Sequence, residues 1–200
     1  MARSRLLRLP LAEPEHAPLL TRRLVLRTPT LSDHREWAAL RESSQAFLRP
    51  FEPEWTAREL SRTTYRQRLR SQAGLAAAGR ALPWFLFERE RGRMVGGITV
   101  SNIRRGVAQA GTVGYWMGAE HAGHGYMREA LRAVMACAFE EHDLHRLEAA
   151  TLPDNERSIR VLERCGFRRE GVARSYLRIA GAWRDHLLYA TVNPSPTAGH

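Results

Sequence analysis

Apolar positions along the chain change period several times, and each change marks an element. Residues 23–27 alternate around Leu24 and Leu26, the period-two signature of a half-buried strand. From Thr30 or Ser32 the spacing becomes helical and carries Trp37, Leu40 and Phe47 toward a core. Pro50 and Pro53 stop that pattern and leave Phe51, Glu52, Glu54 and Trp55 in a loop. A second helix is predicted from Thr56, where Glu59 three residues on completes a capping box, to about Gly79. Residues 82–88 and 94–101 are β-rich runs on either side of Arg91-Gly92 and read as a hairpin, and residues 110–117 read as a further strand.

Helical spacing returns from Tyr126 to about Glu141, with Met127, Ala130, Leu131, Val134, Ala138 and Phe139 on the buried face. Residues 146–152 form a strand, and Pro153-Asp154-Asn155 opens a short helix that turns Ile159, Val161 and Leu162 inward. Gly166 followed by Phe167 suits a left-handed helix stop with an apolar contact after it. Two strands flank Gly181-Ala182, the second holding Trp183, Leu187, Leu188 and Tyr189. The order βααβββαβαββ predicts one α+β domain with a mixed central sheet over residues 21–192. Residues 1–20 and 193–200 lack periodicity and read as tails.

Composition narrows the class. A chain of 200 residues with 44% hydrophobic and 26% charged positions has enough apolar content for a core, which excludes a disordered or collagen-like protein. A formal charge of +10 would suggest nucleic acid, with residues 1–80 carrying 15 arginines against eight acids. All 31 basic residues are arginine, however, which points to coding bias more than to a phosphate-binding face. Cys137 and Cys165 belong to no paired-cysteine motif, so neither a zinc knuckle, another metal site nor a disulfide framework is expected. Pro10 and Glu13 interrupt the only leader-like run, and no stretch approaches the ~20 apolar residues of a membrane span, so a cytoplasmic location is expected.

Two segments carry candidate chemistry. Gly123-His124-Gly125 stands between a strand and a buried helix, where two glycines allow close backbone approach and the free N–H groups of a helix start attract phosphate. An ordinary glycine turn would account for this segment taken alone. Asn155 precedes a helix with Ser158 three residues on, so the two share a face of the first turn. A cap would use only the Asn155 oxygen, leaving its NH2 free for an amide-bearing ligand and the Ser158 hydroxyl free to exchange a proton.

Taken together, the strand, Gly123-His124-Gly125, Asn155-x-x-Ser158 and Cys165-Gly166-Phe167 resemble the GNAT superfamily of acetyl-CoA-dependent N-acetyltransferases. Residues 47–53, Ser101-Asn102, residues 127–131 and Trp183-Arg184-Asp185-His186 are similar to its RimJ/RimL group, which acetylates the N-termini of ribosomal proteins. The resemblance covers roughly residues 20–192. It implies the GNAT fold, in which Tyr115, Trp116 and Met117 lie on a splayed strand whose backbone pairs with the pantetheine arm. It also implies that Ala122, Gly123, His124, Gly125, Tyr126 and Met127 hold the pyrophosphate and that Asn155 binds the arm. Ser158 becomes the candidate acid for the leaving thiolate, with Tyr176 as a second candidate approaching from the last hairpin. Glu52 is the candidate to anchor or deprotonate the acceptor amine.

The sequence departs from the superfamily at Glu120, which stands where Gln or Arg is common, so its side chain must face solvent. Bland readings fit His124 as an exposed loop imidazole, Cys165 as a small core residue and Asp185 as a tie within the last hairpin. Arg58, Arg62, Arg66 and Arg70 recur every fourth residue and make a basic stripe on the predicted helix 56–78, available to ribosomal RNA. The expected partner is a protein N-terminus, with monomer and homodimer both open. Two rivals remain: acetylation of a small amine such as a polyamine or aminoglycoside, and a non-catalytic ribosome- or RNA-binding protein.

Overall fold

The computed structural model describes residues 17–194, so most of the two predicted tails lies outside the described residues. Its core is one eight-stranded sheet in the order β1-β2-β3-β4-β5-β6-β8-β7. The strands are β1 (Leu19–Leu20), β2 (Leu24–Arg27), β3 (Leu82–Glu88), β4 (Met94–Arg104), β5 (Ala110–Met117), β6 (Arg146–Thr151), β7 (Arg168–Ile179) and β8 (Ala182–Val192). The helices are α1 (His34–Ser43), α2 (Gln45–Leu48), α3 (Arg62–Ala77), α4 (Tyr126–Ala136) and α5 (Glu156–Arg164). Every strand pair is antiparallel except β5 with β6, which gives the mixed α+β sheet expected from the element order.

Two buried clusters clothe the sheet. One gathers Leu24, Leu26, Ile98, Leu131, Val134, Leu147 and Leu162, and includes the apolar stripe of α4. The other gathers Trp37, Leu40, Tyr65, Phe85, Phe87 and Met94 under α1 and α3. Tyr65 anchors the second cluster further by donating to the Thr30 carbonyl at 2.7 Å, since a buried phenol needs a partner.

Four expectations are corrected. Leu19 and Leu20 are not tail: they pair with Leu26 and Val25 as a short edge strand. The first helix breaks at Ser44, whose Oγ accepts from the Ala119 N–H at 2.9 Å, so Phe47 lies on a separate short helix, half-buried, and only Leu48 is buried there. The second long helix begins at Arg62, not Thr56. Ser61 is its N-cap, accepting from Thr64 N at 3.2 Å, and Glu59 pairs instead with Arg68 at 2.5 Å. Arg58 therefore precedes the helix, and the exposed stripe is Arg62, Arg66 and Arg70. By contrast, Gly166 has φ +88° and is followed by a Phe167 N–H to Leu162 C=O bond of 3.1 Å, the expected left-handed stop.

Asp33, 6% exposed, fixes the entry to α1. Its carboxylate accepts from Arg27 Nη1 at 2.9 Å, Arg27 Nη2 at 2.6 Å and the Thr30 N–H at 2.7 Å. Burial by itself would raise this carboxyl, but the hydrogen bonds from Arg27 and Thr30 outweigh it and hold it below the usual aspartate range. A carboxyl depressed by folding contributes stability above its unfolded pKa of about 3.9 and loses it as pH falls through the folded value. Asp33→Asn is therefore expected to cost about 1–3 kcal/mol at pH 7 in denaturant unfolding. The gap from wild type should narrow as pH is lowered toward 3; a gap independent of pH would mean that this carboxylate is not the source.

Candidate active site

The sheet opens at its centre. β5 and β6 pair at Ala110↔Arg146, Gly111↔Leu147 and Thr112↔Glu148, and the ladder stops there. Beyond that point β5 stays bonded to β4 out to Met117, while β6 stays bonded to β8 out to Thr151. The backbone edge of residues 113–117 therefore faces a wedge instead of a strand, with N–H and C=O groups in need of partners. A cleft of about 610 Å³ fills the wedge, and Tyr115, Trp116, Met117, Ala150, Asn155 and Ser158 are among its walls.

At one end the cleft meets the start of α4. Gly123 (φ +84°) and Gly125 (φ +78°) turn the chain through left-handed conformations, and no side chain caps the helix. The N–H groups of Tyr126, Met127 and Arg128 lack intrahelical partners, so an anion is attracted by free donors and by the helix dipole. Arg128, Arg157, Arg160 and Arg164 also line the cleft. Sequence reading missed these arginines, although the spacing of 157, 160 and 164 is that of one helix face.

The loop is braced from behind. Glu129 accepts from Thr21 Oγ1 at 2.7 Å, Arg23 N at 2.8 Å and Arg23 Nε at 2.7 Å. The Arg23 guanidinium also donates to the His124 carbonyl at 2.9 Å and lies 4.6 Å from the Tyr126 ring centroid. Tyr126 donates to Glu88 at 2.7 Å. His124 is exposed and stacks on Tyr126, while the Glu120 side chain is 68% exposed and faces His121, so no carboxylate is aimed at the anion site from that position.

Asn155 caps α5, its Oδ1 accepting from Ser158 N at 3.2 Å, and its Nδ2 makes no hydrogen bond among the described residues. Ser158 Oγ lies 2.8 Å from the Tyr115 hydroxyl, a contact that crosses the wedge from α5 to β5. Burial pushes the Tyr115 phenol well above its ordinary value, more than the Ser158 hydrogen bond lowers it, so Tyr115 stays protonated as a donor. The hydroxyl that the structure sets beside Ser158 is thus that of Tyr115, not that of Tyr176. Tyr176 lies outside the cleft wall, 49% exposed, with its ring edge-on to His186 at 5.8 Å; it is His186 that lines the cleft. Cys165 is buried, donates to the Arg128 carbonyl at 3.6 Å, and has its thiol raised by burial, which disfavours a nucleophilic thiolate. Asp185 accepts from Ser175 N at 2.8 Å and ties the last hairpin.

A second cavity of about 380 Å³ shares Gly114, Tyr115 and Trp116 with the first and adds Trp37, Trp55 and Glu54. Glu52 belongs to both cavities. Its carboxylate accepts from Arg41 Nη1 at 3.2 Å and from Trp55 Nε1 at 2.7 Å, and its carbonyl accepts from Ala180 N at 2.9 Å, joining the loop to the tip of the β7–β8 hairpin. One cleft suited to a long, phosphate-bearing ligand with an amide arm thus meets a second pocket across a single strand. Among the described residues no helix is long and apolar enough to cross a membrane, and no group of three His, Cys, Asp or Glu side chains could hold a metal.

Residues 23–168 match the family model described as an acetyltransferase (GNAT) domain. The [ribosomal protein uS5]-alanine N-acetyltransferase of Escherichia coli is 34% identical over 181 residues, covering 90% of this chain and 93% of that protein. The probable N-acetyltransferase YjcK of Bacillus subtilis is 42% identical over a shorter stretch, 54% of this chain and 60% of that protein. Among solved structures, the ribosomal-protein-S5-alanine acetyltransferase of Vibrio fischeri superposes with a TM-score of 0.84 at 31% identity, covering 91% of this chain and all of that one. RimJ of Mycobacterium smegmatis, solved with a CoA-disulfide, superposes with a TM-score of 0.83 at 32% identity, covering 92% and 93%.

Proposed function

The chain belongs to the GNAT acetyltransferase family and is an acetyl-CoA-dependent N-acetyltransferase; on that premise we propose that its acceptor is the α-amine of a ribosomal protein whose N-terminus is alanine. The observation that carries the proposal is the meeting of two cavities at Tyr115 and Trp116 with Glu52 in the wall of both. The substrates of the Escherichia coli and Vibrio fischeri relatives supply the acceptor class.

When bound, acetyl-CoA supplies the activated acetyl thioester. The free N–H groups of the loop from Gly123 and of the start of α4 would hold its diphosphate, with the arginines of the cleft beside them. The free edge of β5, together with Asn155 Nδ2, would grip the amide arm, and a β5 N–H on that edge would be placed to stabilise negative charge on the thioester oxygen. Glu52 accepts a hydrogen bond from the acceptor nitrogen and receives its surplus proton, directly or through water. The Tyr115–Ser158 hydroxyl pair would supply the proton needed by the coenzyme A thiolate on its release. A peptide α-amine, with an ordinary pKa of about 7.7–8.0, needs far less help to become neutral than a lysine at about 10.4. A carboxylate already bonded to an arginine therefore suffices for an N-terminus. Both cysteines are buried and free, which suits a reducing cytoplasm, and the exposed Arg62, Arg66 and Arg70 offer a contact with ribosomal RNA.

Mass spectrometry of the purified chain with acetyl-CoA and peptides begun by Ala tests the acceptor. A single acetyl on the α-amine, with none on spermidine or an aminoglycoside, is expected; the reverse pattern would assign a small-molecule enzyme. Salt-sensitive RNA binding with no turnover of any amine would make it a binding protein. Tyr115→Phe and Ser158→Ala are each expected to lower kcat about 100-fold while leaving coenzyme A affinity nearly intact. Unchanged kcat in both would remove the pair from the mechanism. Gly125→Val, forcing a β-branched side chain to φ +78°, is expected to abolish the thermal shift given by coenzyme A, worth about 2.7 kcal/mol at 100 times Kd. A preserved shift would place the diphosphate elsewhere.

A further inference from the structure

We propose that Arg41 is a positioning residue that holds the Glu52 carboxylate in place to receive the acceptor amine. The proposal rests on the acceptor reading above and identifies what gives Glu52 its orientation. Arg41 sits at the last turn of α1 with only 4% of its side chain exposed, whereas Glu52 keeps 20%. Its two terminal nitrogens reach the two carboxylate oxygens at 3.2 and 2.5 Å, a fork-to-fork pair that a lysine cannot make. Trp55 adds a third donor to Oε2 at 2.7 Å.

The guanidinium is caged by aromatic faces. Its carbon lies 4.6 Å from the Trp55 ring, 5.1 Å from Trp116 and 5.6 Å from Trp37. Trp116 reaches this place because β4 has glycine opposite: a Cβ on Gly97 would lie 2.6 Å from Trp116 Nε1. The cage thus draws on α1, the loop after α2 and β5, the strand that faces the cofactor cleft.

Stability alone is a poor account of this arrangement. Burying an ion pair costs solvation that its own attraction only about repays, and among the described residues the buried Arg41 Nε has no hydrogen-bond partner. What the arrangement does supply is orientation. Three donors fix both carboxylate oxygens, and Glu52 lines both cavities, so a held carboxylate with lone pairs to spare stands where the two cavities meet. A carboxylate held this way need not be ordered when substrate arrives.

A double-mutant cycle read on the KM for an Ala-initiated peptide tests the proposal. Arg41→Met is expected to raise that KM about tenfold, with Arg41→Lys in between, while the KM for acetyl-CoA stays at the wild-type value. In a Glu52→Gln background, where KM is already raised, Arg41→Met should add less than about twofold. Multiplicative losses in the double variant, or an equal rise in the KM for acetyl-CoA, would make Arg41 a structural strut and overturn the proposal. Should Arg41→Met fail to fold because it strands a half-buried carboxylate, Arg41→Lys and the charge-free pair Arg41→Met/Glu52→Gln carry the comparison. The thermal shift with acetyl-CoA serves as the folding control. Failure of the acceptor reading is separable, since it appears in the wild type alone as no peptide turnover; the cycle is then run on the small amine that is acetylated.

Discussion

The site depends on β5 and β6 parting after three residue pairs. An open sheet centre is costly, because backbone donors and acceptors left dry and unpaired each forfeit a hydrogen bond. The fold limits that cost by giving each strand one complete ladder on its other side, β5 with β4 and β6 with β8. Only the facing edges are left open, and they face a cleft wide enough for water or ligand. The opening also spares the rest of the sheet, since the buried residues of β3, β4 and β8 keep both neighbours. A ligand that enters as an extra strand satisfies groups the fold has left open, so binding here completes the sheet without deforming it.

Strand alternation then divides the labour. Consecutive residues of β5 point to opposite faces, so Tyr115 turns toward α5 and its Ser158 hydroxyl while Trp116 turns toward α1 and the Arg41 cage. The Tyr115–Ser158 hydroxyl pair and the Arg41 cage are thereby set on two faces of one strand, one residue apart. The cluster under α1 and α3 backs the smaller cavity, and the bonds from Ala119 N to Ser44 Oγ and from Ala180 N to the Glu52 carbonyl tie its loops to the segment after β5 and to the tip of the β7–β8 hairpin. Movement of either wall would be felt at the other through β5.

Much of this was legible in the sequence because it is local. Period-two and helical spacing gave the strands and α4, and the positive-φ glycines at 123, 125 and 166 occupy positions only glycine tolerates well. The start of α3 was misread because Thr56 with Glu59 and Ser61 with Thr64 are competing caps five residues apart, and the choice fell to a distant partner, Arg68, that takes Glu59. Leu19 and Leu20 carry too short a pattern to register as a strand until β2 is there to pair with them. Tyr115 with Ser158 and Arg41 with Glu52 were invisible as pairs, since each joins residues that only the sheet opening or the α1 packing brings together. A candidate list built from motifs finds the groups held by local geometry and misses those held by tertiary contact.

The arginine-only composition also reads differently once the fold is known. A pI near 10.9 suggests a polyanion partner, yet eight of the described arginines hold carboxylates within the chain. Several do so in ways a lysine would not reproduce. Arg27 binds both oxygens of Asp33, Arg41 both oxygens of Glu52, and Arg146 joins Glu148 and Glu170 at once. Whatever bias placed arginine at every basic position, the packing has come to use its planar fork, and the charge surplus overstates what is left for partners. The basic surface that remains is best sought where arginines are exposed and form no ion pair among the described residues, at Arg62, Arg66 and Arg70 on α3, and at the mouth of the larger cleft around Arg128 and Arg164, where phosphate is the ligand that the adjoining uncapped helix already favours.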